Sequence, residues 1–438
     1  MKKTSLVICL ILGFLFVKAQ APLTLEAAME LAVQHNYDLK NQTLNIALTN
    51  KDLEKLRAQR MPTVSGNGDV RYNPILQTSI LPGDAFGQPG DAPQRIKFGT
   101  NFNLLFGIET NYKLYDPAYQ TNVEINRIQN SLETATLRKN TQDVKLNAAT
   151  AYYEVLLQQT QWKLAGDRIN RAEDILNITI TQLQAGAALP VDLQKSELEV
   201  RNAQNLGTQA QNALERARLN LARQTGIALE NLPSLQDNLL QIDADTLQTP
   251  VANTASIEGR YEIAEAQNQL KISELQINLQ DKLYLPSLEL FGNLSAQHLS
   301  DDLAVWERWF PFAFVGARIS VPIFDGNQKA RNKESFQLQM QINQNNLARL
   351  REDLSFELRS AAIDLENAIT QLQNAAQDLE TSKEIFEIDQ TRYREGALLF
   401  SDFRNTEFSL REAETNLLAA IQNYFIARLR WMRAGGIF

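Results

Sequence analysis

Few residues in this chain have types and spacing suited to chemistry, and the most distinctive of them occur twice. Asp192 closes the stretch Gly186-Ala187-Ala188-Leu189-Pro190-Val191-Asp192, and Asp402 closes Gly396-Ala397-Leu398-Leu399-Phe400-Ser401-Asp402, 210 residues later. Each reads Gly-Ala-x-Leu-x-x-Asp and lies between strongly helical segments, as the turn of a helical hairpin does. The glycine can take the left-handed conformation that ends one helix, while Pro190 or Ser401 suits the start of the next. A carboxylate at such a place caps free amides at a helix N-terminus.

Raw material for an active site is scarce. His35 and His298 are the only histidines, and Cys9 is the only cysteine. A catalytic dyad, a thiolate nucleophile or a His-rich metal site therefore has almost nothing to be built from. Gly-rich phosphate loops, Gly-x-Ser-x-Gly and His-Glu-x-x-His patterns are missing as well. The expectation is a protein without enzymatic activity or cofactor. His298, beside an aromatic stretch, reads as a surface residue rather than a ligand.

Lys2 and Lys3, an apolar run from Leu6 to Val17 and the small residue Ala19 before Gln20 have the order of a signal peptide over residues 1–19. Cys9 lies inside that leader, so the exported chain would carry no thiol. The net charge of −8 becomes about −11 once Lys2, Lys3 and Lys18 leave with it. Such an acidic protein is a poor partner for nucleic acid. No other stretch approaches eighteen consecutive apolar residues, which excludes a helical membrane span.

The elements that hold the two turns are long helices with a seam. Ala148, Val155, Trp162, Ile169, Leu176 and Leu183 recur every seventh residue, and Leu358, Leu365, Leu372, Leu379, Phe386 and Tyr393 repeat the pattern. A mostly small row accompanies each, Ala151, Gln158, Ala165, Ala172, Thr179 and Ala361, Ala368, Ala375, Ser382, Asp389. A large row beside a small one lets helices approach closely, and heptad spacing implies left-handed supercoiling.

Taken in order, residues 20–62 form a first helix, opened by Thr24 as N-cap and stopped before Pro62. Residues 63–115 form a first β-hairpin with a long exposed loop at 74–96. Residues 116–225 form a helical hairpin with its tip near 186–192, and 226–256 a polar linker. The unit then repeats: a helix at 257–286, a second β-hairpin at 287–324, a second helical hairpin at 325–433 with its tip near 396–402, and a short tail at 434–438. Alternation marks the strands best at 98–114 and at 313–323, where Ala313, Val315, Ala317, Ile319, Val321 and Ile323 share one face. Trp306, Trp309, Phe310 and Phe312 fall in the second loop, either as an interfacial girdle at a membrane surface or as cover over a soluble sheet. Each long helix of some 68 residues would extend roughly 100 Å.

Four strands with one apolar face cannot stay open in a bilayer, because their edges would leave backbone groups unpaired in hydrocarbon. Two chains would close eight strands around a filled interior, and three would close twelve around a lumen.

The chain resembles the TolC family of outer-membrane efflux proteins over essentially its whole exported length. The marks are Thr24-Leu25-Glu26-Ala27-Ala28 with Asn36-Tyr37, the sequences Leu114-Tyr115-Asp116-Pro117 and Ile323-Phe324-Asp325-Gly326, and the doubled turn. That resemblance implies an α+β membrane protein and a homotrimer, with a twelve-stranded β-barrel in outer-membrane lipid continued by a twelve-helix α-barrel in the periplasm. Its implied partners are a periplasmic adaptor (membrane fusion) protein and an inner-membrane pump of RND or ABC type.

The resemblance also implies a periplasmic gate. Asp402 takes the position of a constriction aspartate, which would form a ring of three carboxylates able to attract cations. Asn405 stands where the family archetype has a second aspartate, which implies a less charged entrance. Tyr393 matches a locking tyrosine able to reach Asp192, whereas Leu398 replaces the archetype's arginine. The expected lock is therefore a hydrogen bond without a salt bridge. The rival reading at both aspartates is a plain helix cap. The rival for the whole chain is a structural coiled-coil protein of the envelope, which would account for heptads and leader but not for two amphipathic hairpins in matched positions.

Overall fold

A computed structural model of the chain describes residues 22–81, 94–236, 257–302, 305–306 and 308–437. The leader, most of the linker and the tip of the first loop lie outside these residues. The elements run α1 (Leu25–His35), α2 (Tyr37–Ala58), β1 (Thr63–Tyr72), β2 (Gln77–Leu81), β3 (Gln94–Phe98), β4 (Phe102–Tyr115), α3 (Tyr119–Gln184) and α4 (Pro190–Thr225). The second half holds α5 (Tyr261–Lys282), β5 (Ser287–Ser300), β6 (Trp309–Ser320), α6 (Gln328–Arg394) and α7 (Phe400–Ala434). Among the described residues no helix is long and apolar enough to cross a membrane. Two compact units emerge from the way these elements pack.

The first unit comprises the described residues of Gln42–Thr136 and Glu262–Arg349 and contains the sheet. Its four strands lie in the order β1-β4-β5-β6, every neighbour antiparallel, with β1 and β6 at the edges. The register places Val70, Leu104, His298 and Trp309 on one face, followed by Ile108, Leu294 and Ala313 and then by Leu290 and Ala317. The opposite face carries Asp69, Glu109, Asn293, Glu289 and Arg318. Period-two alternation thus separates an uncharged face from a polar one.

Several expectations need correction here. The strand expected at 98–114 begins at Phe102, because Phe98 belongs to β3 and Gly99 turns the chain with φ of 101°. Residues 74–96 are not simply a loop, since β2 and β3 pair in a separate two-stranded ribbon. The strand expected at 313–323 begins earlier, at Trp309, and ends at Ser320 before Val321-Pro322. Trp309, Phe310 and Phe312 are consequently strand residues, not loop residues. His298 is buried rather than on the surface, for β5 continues to Ser300 and sets its ring against Trp309, with centroids 5.4 Å apart.

The second unit comprises the described residues of Met1–Asn41, Leu137–Tyr261 and Leu350–Phe438. Its core gathers Val155, Leu156, Leu221, Leu365, Leu372 and Ile421 around Tyr152, which is fully buried. The Tyr152 hydroxyl donates to the Leu23 carbonyl at 3.0 Å, and the Gln236 amide donates to that same oxygen at 3.2 Å. Two donors thus pin the extended segment before α1, and Tyr153 stacks on Phe425 with centroids 3.9 Å apart. The single helix expected from Thr24 to about Arg60 is broken at Asn36, which adopts an extended conformation. Its amide still donates to Ala32 of α1, while its side chain accepts from the Leu39 amide at 3.0 Å and caps α2. Asparagine offers the backbone this alternative to a continuous helix.

Gly226 closes α4 with φ of 72°, and a Cβ added there would lie 2.6 Å from the Cβ and Cγ of His35. Both backbone conformation and space require glycine. Replacing it, Gly226→Ala, should lower stability by about 2 kcal/mol, combining left-handed strain with displacement of His35. A drop in the midpoint of helix melting by circular dichroism reports this, and an unchanged midpoint would contradict it.

Candidate functional site

The paired turns of the second unit share one geometry. Gly186 and Gly396 have φ of 74° and 71°. The amides of Gly186 and Ala187 donate to Leu183 and Gln182, as those of Gly396 and Ala397 donate to Tyr393 and Arg392, at 2.8–3.0 Å in both cases. Two carbonyls left free at the end of each long helix are satisfied in this way. Open space surrounds both glycines, so their identity is set by the backbone alone.

Beside these turns a small apolar core forms from Ile175, Leu379, Phe386, Tyr393, Phe400, Phe403 and Leu410. Tyr393 and Phe403 stack with centroids 4.9 Å apart. The Tyr393 hydroxyl meets Thr179 Oγ1 at 2.9 Å. Thr179 gives its own proton to the Ile175 carbonyl at 2.8 Å, which leaves the tyrosine as donor. Ser196 completes the group, 3.2 Å from Thr179 Oγ1 and 2.9 Å from the Asp192 carbonyl. The Gln182 side chain donates to the Tyr393 carbonyl. Burial pushes the Tyr393 hydroxyl above its ordinary pKa and the Asp192 carboxylate adds to the rise, against the opposing hydrogen bond with Thr179. The phenol is neutral at physiological pH.

Within one chain, then, the expected hydrogen bond from Tyr393 to Asp192 is replaced by one to Thr179. The Asp192 carboxylate instead accepts from the Leu189 amide at 3.2 Å and caps α4. Leu398 is half-buried against the apolar core. Asp402 and Asn405 are exposed on α7, one turn apart, with Ser401 Oγ 3.4 Å from the Asp402 carboxylate. Ala148, Val155, Leu365, Leu372, Leu379 and Phe386 of the heptad rows are buried. Trp162 is not, being 47% exposed. Ala165 of the small row, less than one turn further on, is buried there instead. Ile169, Leu176, Leu183 and Leu358 are partly covered. Ile169 meets Gly207 of α4, where an added Cβ would lie 2.9 Å from its Cδ1.

Apolar periodicity gave no hint of a charged ladder along α7, formed by Arg404, Glu407, Arg411 and Glu414. Spacings of three and four residues put them on one helix face. Glu414 is buried, 3% exposed, and is held by Arg168 Nε and an Arg171 terminal nitrogen of α3, each at 2.8 Å. Arg404 and Arg411 pair with Glu199 of α4. Arg168, Ser196, Glu199, Arg404, Glu407 and Arg411 border a cleft that opens to solvent. Among the described residues no group of three or more His, Cys, Asp or Glu side chains is placed to hold a metal ion.

Comparison with known proteins agrees with this architecture. The model of the outer membrane efflux protein family matches residues 28–227 and 254–436, and the chain belongs to that family. The toluene efflux pump outer membrane protein TtgC of Pseudomonas putida is 22% identical over 405 residues, covering 89% of this chain and 78% of TtgC. The cobalt-zinc-cadmium resistance protein CzcC of Cupriavidus metallidurans is 22% identical over 314 residues, 71% of this chain and 66% of CzcC. The crystal structure of the CmeC outer membrane channel of Campylobacter jejuni superposes with a TM-score of 0.72 at 18% identity, covering 94% of this chain and 85% of CmeC. The fold is that of these channels.

Removing Glu414 leaves Arg168 and Arg171 confronting each other without their shared carboxylate. Truncation of one partner in a buried pair costs about 3 kcal/mol or more. Chemical denaturation of Glu414→Ala followed by helical circular dichroism should show a loss on that scale. A loss within about 0.5 kcal/mol, ordinary for a surface substitution, would show that the ladder is solvated and contributes little.

Proposed function

We propose that three copies of this chain form a passive conduit in the outer membrane. Their four-stranded sheets close into a twelve-stranded barrel, and the long helices continue as a twelve-helix α-barrel in the periplasm. A periplasmic adaptor protein joins this barrel to an inner-membrane pump of the RND or ABC type, which supplies the energy. The observation that carries the reading is the sheet itself, with one uncharged face, one polar face and two edge strands, β1 and β6, that have no further strand neighbour among the described residues. Such a sheet suits lipid on one side and water on the other once its edges meet. TtgC and CzcC carry toluene and metal-ion names at equal identity to this chain. The pump, in this reading, selects the cargo.

The helical hairpin turns are the proposed periplasmic gate. Three copies of Asp402 ring the axis and draw cations to it, and the neutral Asn405 one turn on keeps the entrance less charged. Tyr393 and Leu398 hold the inner hairpin through hydroxyl and apolar contacts, Leu398 standing where the archetype has a guanidinium, and Arg404 adds an ion pair to Glu199 of α4. Asp192 supports the outer turn as a cap.

Detergent-extracted protein reconstituted in a planar bilayer should give single-channel currents, and Asp402→Ala should weaken cation block or change conductance. Unaltered block and conductance would leave Asp402 a helix cap. Release by osmotic shock without detergent, and no current, would favour a periplasmic coiled-coil fibre over the conduit.

A further inference from the structure

Strand register separates the aromatic residues that open β6. Trp309 pairs with His298 on the uncharged face, whereas Phe310, Phe312 and Phe314 pair with Gln297, Ser295 and Asn293 on the polar one. Only Trp309 of this group can serve an interfacial girdle, which leaves the three phenylalanines without a role. They are 52%, 43% and 50% exposed.

Their surroundings make them stand out. Polar side chains elsewhere on this face bind one another. Asn67 and Asn111 donate to Glu109, Gln297 donates to Asn103, and Arg71 and Arg318 pair with Asp69 and Glu289. Phe291, also on this face, is covered. Its ring lies where a Cβ on Gly316 would approach it to 2.7 Å, with the Arg318 guanidinium 4.9 Å from its centroid and Phe314 beside it at 6.1 Å. From this anchored end Phe314, Phe312 and Phe310 continue up the edge strand as a stripe of rings on a mostly polar wall whose other large apolar side chains are Leu105 and Leu299.

We propose that this stripe is a track inside the channel on which solutes carrying an aromatic ring stack as they leave. The inference rests on the conduit reading, in which the polar face lines the lumen. Alternate residues of a strand are about 7 Å apart, so a solute ring leaving one phenylalanine is within reach of the next. Several weak sites in series permit both entry and exit, as conduction requires. The pump still determines what enters, and the stripe adds residence for one chemical class.

The test uses full-length protein in a planar bilayer, with ethidium and tetraethylammonium as probes added on the barrel side. Both are monovalent cations, and only ethidium carries aromatic rings. Wild-type channels should show resolvable ethidium blockades, and combined Phe310→Leu, Phe312→Leu and Phe314→Leu should shorten them at least about fivefold, the scale of lost ring stacking. Tetraethylammonium block should not change. The corresponding tyrosine variants retain the rings and should keep the wild-type dwell, which guards against a leucine variant that fails to assemble. Equal ethidium dwell in wild type and leucine variants overturns the track, and so does a parallel fall for tetraethylammonium. Leucine variants with weakened assembly but normal ethidium dwell also overturn it, since a neighbouring subunit would then cover the rings. Wild-type protein with no current at all overturns the conduit reading and the track with it.

Discussion

Every backbone amide and carbonyl needs a partner when water is absent, and this constraint governs the sheet. β4 and β5 are paired on both sides, whereas β1 and β6 each have one edge without a strand partner among the described residues. In hydrocarbon such edges cost several kcal/mol per group. The uncharged face fits that environment, and burying it there exposes the edges to the same solvent. In the proposed conduit, edge-to-edge association of copies meets both demands at once.

The helical unit solves a different problem with related means. Its long helices have little tendency to pack as a broad amphipathic bundle, because small residues such as Ala165, Thr179 and Gly207 alternate with ridges such as Ile169. Close approach there is fixed by shape, while the buried Glu414 with Arg168 and Arg171 fixes position along the helix axis. An ionic contact of this kind contributes less to stability than to register. Near the turns the charges give way to Tyr393, Thr179 and Ser196, whose hydroxyls satisfy one another without any ion.

Much of this was legible in the residues. Glycine followed by Pro190, or by Ser401, in matched stretches marks helix ends whatever the tertiary context, and the turns stand there. The four-stranded sheet followed from alternation. Its boundaries were less accessible, and Pro311 shows why. A proline ordinarily argues against a strand interior. On an edge strand, however, the missing amide proton need not interrupt any ladder. Starting the strand at Trp309 changes the meaning of Phe310 and Phe312, because one residue of alternation separates the uncharged face from the polar one. Asn36 was hidden for a related reason, since a helix-compatible pattern on both sides masked a side chain that caps the second helix while ending the first. The partner of Tyr393 depended on which of several nearby polar groups packing would bring closest, and spacing along the chain carries no information on that choice.

Edge pairing between copies can be measured directly, because Cys9 is the only cysteine in the sequence and lies in the proposed leader. Single cysteines stepped along β1, as in Ser65→Cys, Asn67→Cys or Asp69→Cys, would each be combined with Phe314→Cys on β6 and oxidised in the membrane. Closure of three sheets into one barrel predicts that at least one register yields a covalently closed trimer on denaturing gels, with no larger species. Crosslinks that stop at dimers, or no intermolecular crosslink in any register, would contradict it.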